Sequence, residues 1–280
     1  MSRHHLFIGL VAMLCLTGCL SSRKYKDIDY LTGGVENGER PTLNVFVPKK
    51  IEEGKAPVLL FVHGGNWNSG NKETYNILGR NFARKDVVTV IPGYTLSPDA
   101  SYEEMAQQIA EAVRWTLDSI GKYKGDPQRV YLTGHSAGGH LVALVATNPD
   151  YDIDPDDIAG IILNDAAGLD MHHYLTNNPP TTNEHYLTTW TKYPEVWEEA
   201  SPINYVDAAS PPFMIYLGSK TYNSIKTANE RFLKELKPHQ PGITPIIIDK
   251  KHIPMVTQYV WPWNKRYDEI LEFMEAQGEE

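Results

Sequence analysis

Apolar residues along this chain fall into short runs, and between the later runs they recur every three or four positions. The runs at 27–31, 42–47, 57–62, 86–91, 129–133, 158–164, 213–218 and 244–248 have the length and composition of strands, which predicts an eight-stranded sheet. Over 102–120 the period lengthens, and Met105, Ile109, Val113, Leu117 and Ile120 make one apolar stripe, which predicts a helix packed through that face. Strands that alternate with helices imply an α/β fold, with a mostly parallel sheet and helices on both of its faces. Pro211 with Pro212, and Pro241 with Gly242, mark loops ahead of the last two strands. The stretch 171–210 breaks the alternation, with Tyr174, Tyr186, Trp190, Tyr193, Trp197 and Tyr205 standing among Pro, Thr and Asn. Inserted after the sixth strand, it reads as a lid insertion over the carboxyl ends of the sheet, most of its aromatic rings packing the lid onto its base.

The N-terminus has a different pattern. Arg3 precedes an apolar run over 6–16 that is too short to span a bilayer, as in a signal peptide, here 1–18. Its end, Leu16, Thr17, Gly18 and Cys19, resembles the bacterial lipobox, and the resemblance implies cleavage before Cys19 and lipid on its thiol. Residues 19–26 are then expected to be a tether and 27–280 one domain. Lipid on Cys19 would anchor it in a bacterial cell envelope, on the periplasmic or outer-membrane face. Cys15 would leave with the signal peptide, so no disulfide is expected. The chain of 280 residues carries a formal net charge of −9 and no long basic block, which argues against a nucleic-acid partner.

Candidate chemistry concentrates in two glycine motifs. Val130, Tyr131 and Leu132 end a buried strand, Gly134, His135, Ser136, Ala137 and Gly138 follow, and Leu141, Val142, Leu144 and Val145 continue as a helix. A serine flanked by glycine two places on either side suits a sharp strand-to-helix turn that leaves its hydroxyl accessible. The pentapeptide alone arises by chance in about one chain in ten of this length, so its setting between strand and helix carries the weight. Upstream, the run 57–62 leads into His63, Gly64, Gly65, Asn66 and Trp67. Glycines there let backbone N–H groups turn inward, and those of Gly64, Gly65 and Ala137 would make an oxyanion hole, with Asn66 a further candidate. Together the two motifs describe acyl transfer.

These residues resemble those of the α/β-hydrolase fold, and within it the esterases and lipases that carry HGGxW together with GxSxG. The segment Gly93, Tyr94, Thr95, Leu96, Ser97, Pro98 is similar to the family's usual Tyr-Arg-Leu segment, with Thr95 in place of the Arg. The likeness covers almost all of 25–278 in element order and is strongest with kynurenine-formamidase-like and hormone-sensitive-lipase-like esterases. It implies a triad in the chain order Ser, acid, His.

Ser136 is then the nucleophile, and it needs a base held in one tautomer by a carboxylate. His252 is the expected base, because it follows Ile246, Ile247 and Ile248 where this fold puts its catalytic His. His140 lies on the nucleophile's own helix, His63 is expected to brace the oxyanion loop, and His172 and His173 fall in the lid. The acid is the difficulty: the loop 218–224, where the family usually supplies it, has no carboxylate, and neither Thr221 nor Asn223 can balance an imidazolium. Either the acid has moved to the tip of the sixth strand, as Asp165 or alternatively Asp170, or the site is degraded. Asp249 stands too close in sequence to His252 to orient it.

The run of Asp150, Asp152, Asp154, Asp156 and Asp157 lacks the Gly and Glu of a calcium loop and reads as a solvated helix-to-strand connection. No P-loop, dinucleotide fingerprint or zinc spacing occurs, so neither cofactor nor metal is expected. The resulting expectation is a serine hydrolase that cleaves small-molecule or carbohydrate esters through an acyl-enzyme. The alternatives are an amide hydrolase of formamidase type and a catalytically silent relative that binds ligands.

Overall fold

Eight strands form, seven of them where expected: β1 (Ser22–Ile28), β2 (Leu43–Pro48), β3 (Ala56–Val62), β4 (Val88–Pro92), β5 (Gly125–His135), β6 (Gly160–Asn164), β7 (Phe213–Gly218) and β8 (Ile246–Ile248). The structure is a computed structural model that describes residues 22–35, 37–51 and 56–278; the expected signal peptide and Cys19 lie outside the described residues. The strands make one sheet in the order β1-β2-β4-β3-β5-β6-β7-β8. β2 pairs antiparallel with β1 and β4, and every pair from β4 to β8 is parallel.

The strand interiors are apolar on both sides because the sheet separates two cores. In β3, Val58, Leu60 and Val62 enter one core while Leu59 and Phe61 enter the other. Ile161 and Leu163 of β6 oppose Ile162 in the same way. Such period-two division buries consecutive residues, and each large side chain removed from water contributes about 1.5–3 kcal/mol. The first core takes α2 (Tyr102–Ser119), α3 (Ala137–Thr147) and α7 (Asn223–Leu236). The second takes α1 (Asn76–Ala83), α8 (His252–Thr257) and α9 (Arg266–Ala276). α2 begins at a capping box, in which Ser101 and Glu104 each satisfy the other's backbone N–H, and it buries Met105, Ile109 and Val113 as the stripe predicts.

The first strand departs from expectation. It spans 22–28 rather than 27–31, so residues 22–26, expected in a tether, belong to the sheet. Arg23, Lys24, Lys26 and Asp27 carry no apolar signal because an edge strand is held by backbone pairing and partly faces water. Lys24 Nζ meets Glu73 Oε2 at 2.7 Å, and the Tyr25 ring lies edge-on to Tyr123 at 4.9 Å.

The insertion 171–210 is more regular than its composition suggests, with short helices α4 (Met171–Asn177), α5 (Tyr186–Trp190) and α6 (Pro194–Glu199). Trp190 is fully buried at its base, edge-on to Trp67 at 4.8 Å and stacked on Tyr102 at 5.3 Å. The Asp-rich run forms two single-turn 3-10 helices between α3 and β6, one with Asp154 as its cap.

Candidate active site

Ser136 sits between β5 and α3 with φ 56° and ψ −122°, a positive-φ conformation rarely adopted by a residue with a side chain. The turn is tight because Gly138 approaches the end of β3: a Cβ there would fall 2.1 Å from the Val62 carbonyl oxygen. Gly64 is confined in the same way, since a Cβ would lie 2.6 Å from the His135 carbonyl oxygen and 2.9 Å from Ser136 Cβ. The end of β3 and the turn at Ser136 therefore touch through backbone. Ala137 is the first residue of α3, so its N–H has no intrahelical acceptor and lies at the positive end of the helix dipole. Gly64 and Gly65 line the same cavity as Ser136.

The serine hydroxyl leads into a continuous hydrogen-bonded chain. Ser136 Oγ and His252 Nε2 are 2.8 Å apart, and His252 Nδ1 donates to Asp165 Oδ2 at 2.5 Å. Asp165 directly follows β6, adopts φ 51°, and is wholly buried. Its backbone N–H still donates to the Tyr216 carbonyl of β7 at 2.8 Å, so the carboxylate is carried by the sheet rather than by a free loop. Oδ1 accepts from the Gly218 N–H at 2.9 Å, and Oδ2 accepts from the Thr221 hydroxyl at 2.5 Å.

Asp170, the alternative acid, does not face His252. Its Oδ1 caps α4 by accepting from the His173 N–H at 2.9 Å, and its Oδ2 pairs with Arg231 Nε at 2.5 Å. Asp249 is drawn outward to Lys220 at 2.8 Å. Asp165 thus has the imidazole contact that Asp170 and Asp249 lack, because the crossover to β8 returns His252 to the end of β6.

His63 and His140 are buried and uncharged at neutral pH. His63 donates from Nδ1 to the Gly64 carbonyl at 2.9 Å and stacks on Tyr94, whose hydroxyl donates to the His63 carbonyl at 2.9 Å. Burial pushes its pKa down to about 4. His140 is likewise pushed down to about 4 by burial, and its two ring nitrogens have different partners. Nδ1 accepts from the Trp67 indole N–H at 3.2 Å, and Nε2 donates to the Ala200 carbonyl at 2.7 Å. The tryptophan of the HGGNW motif is thereby tied through α3 to the end of α6. His172 and His173 lie in α4 of the insertion, as expected.

Three contributors were not anticipated. His135, next to Ser136, stacks on His252 at 4.6 Å, and its Nε2 donates to the His252 carbonyl at 3.2 Å. Burial, with the neighbouring His252 adding to it, holds the His135 pKa down to about 3. Asn164 donates from Nδ2 to the Met255 carbonyl at 2.9 Å, pinning α8 against β6. Thr221, at the position where a carboxylate was expected, donates instead to Asp165. For His135 the motif itself was a signal, whereas the Asn164 and Thr221 contacts span 91 and 56 residues and leave no local trace.

Ser136, His135 and His252 border a cavity of about 770 Å³. Met171, Tyr174 and Tyr186 of the insertion line it, with the Tyr186 hydroxyl donating to Asn66 Oδ1 at 2.9 Å. Tyr222, Ile253 and Val260 also line the cavity and are exposed to solvent.

Comparison with known proteins agrees with this architecture. The chain is similar to the esterase LipQ of Mycobacterium tuberculosis, 30% identical over 207 residues that make up 69% of this chain and 48% of that protein. It is also similar to a probable isoprenylcysteine alpha-carbonyl methylesterase of Arabidopsis thaliana, 30% identical over 139 residues, 49% of this chain and 29% of that protein. The chain therefore spans about half, or less, of the length of these curated relatives. Among solved structures, tributyrin phosphonate-inhibited esterase B from Lactobacillus rhamnosis has a TM-score of 0.76 at 20% identity, over 93% of this chain and 87% of that one, a likeness of the α/β-hydrolase fold. The family model BD-FAE matches residues 43–235, a span that holds both glycine motifs and Asp165, and the chain belongs to the BD-FAE family.

Proposed function

We propose that this protein is a serine hydrolase that cleaves carboxylic esters through an acyl-enzyme. One observation carries the reading: the unbroken hydrogen-bonded chain from Ser136 Oγ through His252 to Asp165. Ser136 Oγ attacks the ester carbonyl carbon while His252 Nε2 takes the hydroxyl proton. The oxyanion that forms is met by the N–H groups of Gly64, Gly65 and Ala137, and removal of one such donor costs about 10²–10³ in rate. The imidazolium then protonates the leaving alcohol as the C–O bond breaks, leaving Ser136 acylated. Water, deprotonated by the same nitrogen, attacks the acyl group, and the returning proton restores the serine as the carboxylic acid leaves. Throughout, the Asp165 carboxylate keeps the His252 Nδ1 proton in place and stabilises the imidazolium. What favours catalysis over a silent binding role is that a carboxylate reaches His252 although the loop after β7 carries none.

The substrate is a small-molecule or carbohydrate ester. Aromatic and apolar walls around the cavity suit an apolar acyl or aryl group, while its exposure to solvent at Tyr222, Ile253 and Val260 leaves room for the alcohol portion to extend outward. The protein is anchored to the bacterial envelope through lipid on Cys19, a reading that rests on the lipobox-like segment. Labelled fatty acid that enters the wild type and not Cys19→Ser would support the anchor; equal labelling of both would overturn it.

The test of the activity is a fluorophosphonate probe applied to the protein lacking residues 1–19, with the labelled residue mapped by mass spectrometry. Label on Ser136, and release of 4-nitrophenol from 4-nitrophenyl acetate that disappears in Ser136→Ala, is the expected result. An equally active Ser136→Ala variant would overturn the proposal.

A further inference from the structure

The turn after β7 lacks the carboxylate expected of it, yet it makes two contacts to the acid that stands elsewhere. Gly218 N–H donates to one Asp165 oxygen at 2.9 Å and the Thr221 hydroxyl donates to the other at 2.5 Å. Thr221 is buried, and its hydroxyl oxygen lies 3.4 Å from His252 Nδ1, beside the proton that the acid holds. The turn is itself tied to the segment that carries the base. Ser219 N–H donates to the Ile248 carbonyl at 2.8 Å and Lys220 N–H to the Lys250 carbonyl at 3.0 Å, while Thr221 N–H closes the turn on the Gly218 carbonyl at 3.2 Å. Acid and base are thus joined through one short turn as well as directly.

We propose that Thr221 is a positioning residue that sets both the orientation and the strength of the Asp165–His252 pair, in the place where a carboxylate would otherwise stand. This deepens the esterase reading and rests on it for the rate effects alone. Oδ2 receives two donors, the Thr221 hydroxyl and His252 Nδ1, and each donor draws on the same negative charge. With the hydroxyl present the carboxylate cannot rotate out of line with the ring, and its pull on an imidazolium is moderated. With the hydroxyl removed the oxygen belongs to His252 alone, so the imidazolium becomes more stable while the carboxylate is less firmly aimed. Other groups face the ring without competing for that oxygen. His135 is stacked on it and neutral, Tyr222 lies tilted at 5.3 Å, Ser136 occupies Nε2, and Lys220 is engaged with Asp249 at the surface.

Thr221→Val keeps the shape and removes the donor, whereas Thr221→Ser keeps the donor. Two readouts are needed, both on protein lacking residues 1–19. The first is kcat and KM on 4-nitrophenyl acetate across pH, per site counted by fluorophosphonate titration. The second is the NMR titration of the His252 ring, assigned by comparison with His252→Gln, which reads the pair whether or not the protein hydrolyses esters. Thr221→Val is expected to lose about tenfold in kcat with KM little changed. The acid limb of kcat/KM and the His252 titration should both move up by about half a pH unit. Thr221→Ser should restore both. A titration midpoint in Thr221→Val that is unmoved or lower overturns the proposal. So does equal loss of rate in both variants with the midpoint unmoved, which would give Thr221 a packing role. An inactive wild type whose His252 midpoint still rises in Thr221→Val would overturn the esterase reading and leave the positioning role standing.

Discussion

Asp165 and Asp170 lie on one short connection, yet their carboxylates have different partners. The first meets an imidazole and two donors from a neighbouring turn; the second caps a helix and pairs with a guanidinium. Their substitutions should therefore separate cleanly. Asp165→Asn keeps the shape but turns an amide toward His252 Nδ1 and favours the wrong tautomer. It is expected to lower kcat by about 10³–10⁴-fold with little change in KM. Asp170→Asn should stay within about tenfold of the wild type, since it touches no group that exchanges protons. Steady-state kinetics on one chromogenic ester checks both, and a larger loss in Asp170→Asn than in Asp165→Asn would reverse the assignment. From sequence, Ser136, His252 and the pair of candidate acids were legible because each follows a run that reads as a strand. The choice between the two acids was not, because it depends on which carboxylate a residue 87 positions downstream approaches.

Secondary-structure elements bring these groups together, and they do so mainly through backbone. α3 packs so close to the end of β3 that Gly138 has no room for a side chain. Gly138→Ala is expected to force the two apart, costing about 1–3 kcal/mol of stability and most of the fluorophosphonate labelling, as urea unfolding and probe incorporation would show. Full labelling at unchanged stability would contradict this packing. The insertion depends on a weaker device, the Asp170 cap of a seven-residue helix joined to Arg231 of α7. Asp170→Ala should cost about 1 kcal/mol and hasten limited proteolysis within 171–210 relative to the rest of the chain. α2 was readable from its stripe, since a long amphipathic helix repeats its signal over several turns. β1 was misplaced because a charged edge strand repeats none, and the helices of the insertion were missed because each is too short to establish a period.

For the molecule as a whole, three buried neutral histidines dominate the response to mild acid. His63 and His140 are held to about 4 and His135 to about 3, against 6.5 for an unperturbed ring. Below pH 6.5 the unfolded chain takes up protons that the folded chain refuses, so stability present above that pH is lost as the pH falls toward 4. Each ring should contribute a loss of about 2 kcal/mol between pH 7 and 5, visible as a falling urea midpoint, and His140→Gln should flatten the slope. A midpoint unchanged from pH 7 to 5 would mean that these rings reach solvent. Sequence by itself determined the eight-strand α/β class, the α2 stripe, the glycine-lined turn that holds Ser136 and the family of motifs. These follow from side-chain period and from where a Cβ cannot fit, and both act within a few residues. Tertiary structure alone decided that Asp165 meets His252, that Thr221 and Gly218 hold it, and that His140 ties Trp67 to the insertion. Those contacts join segments tens of residues apart, and their partners are set by the order and direction of the strands, which no local pattern records.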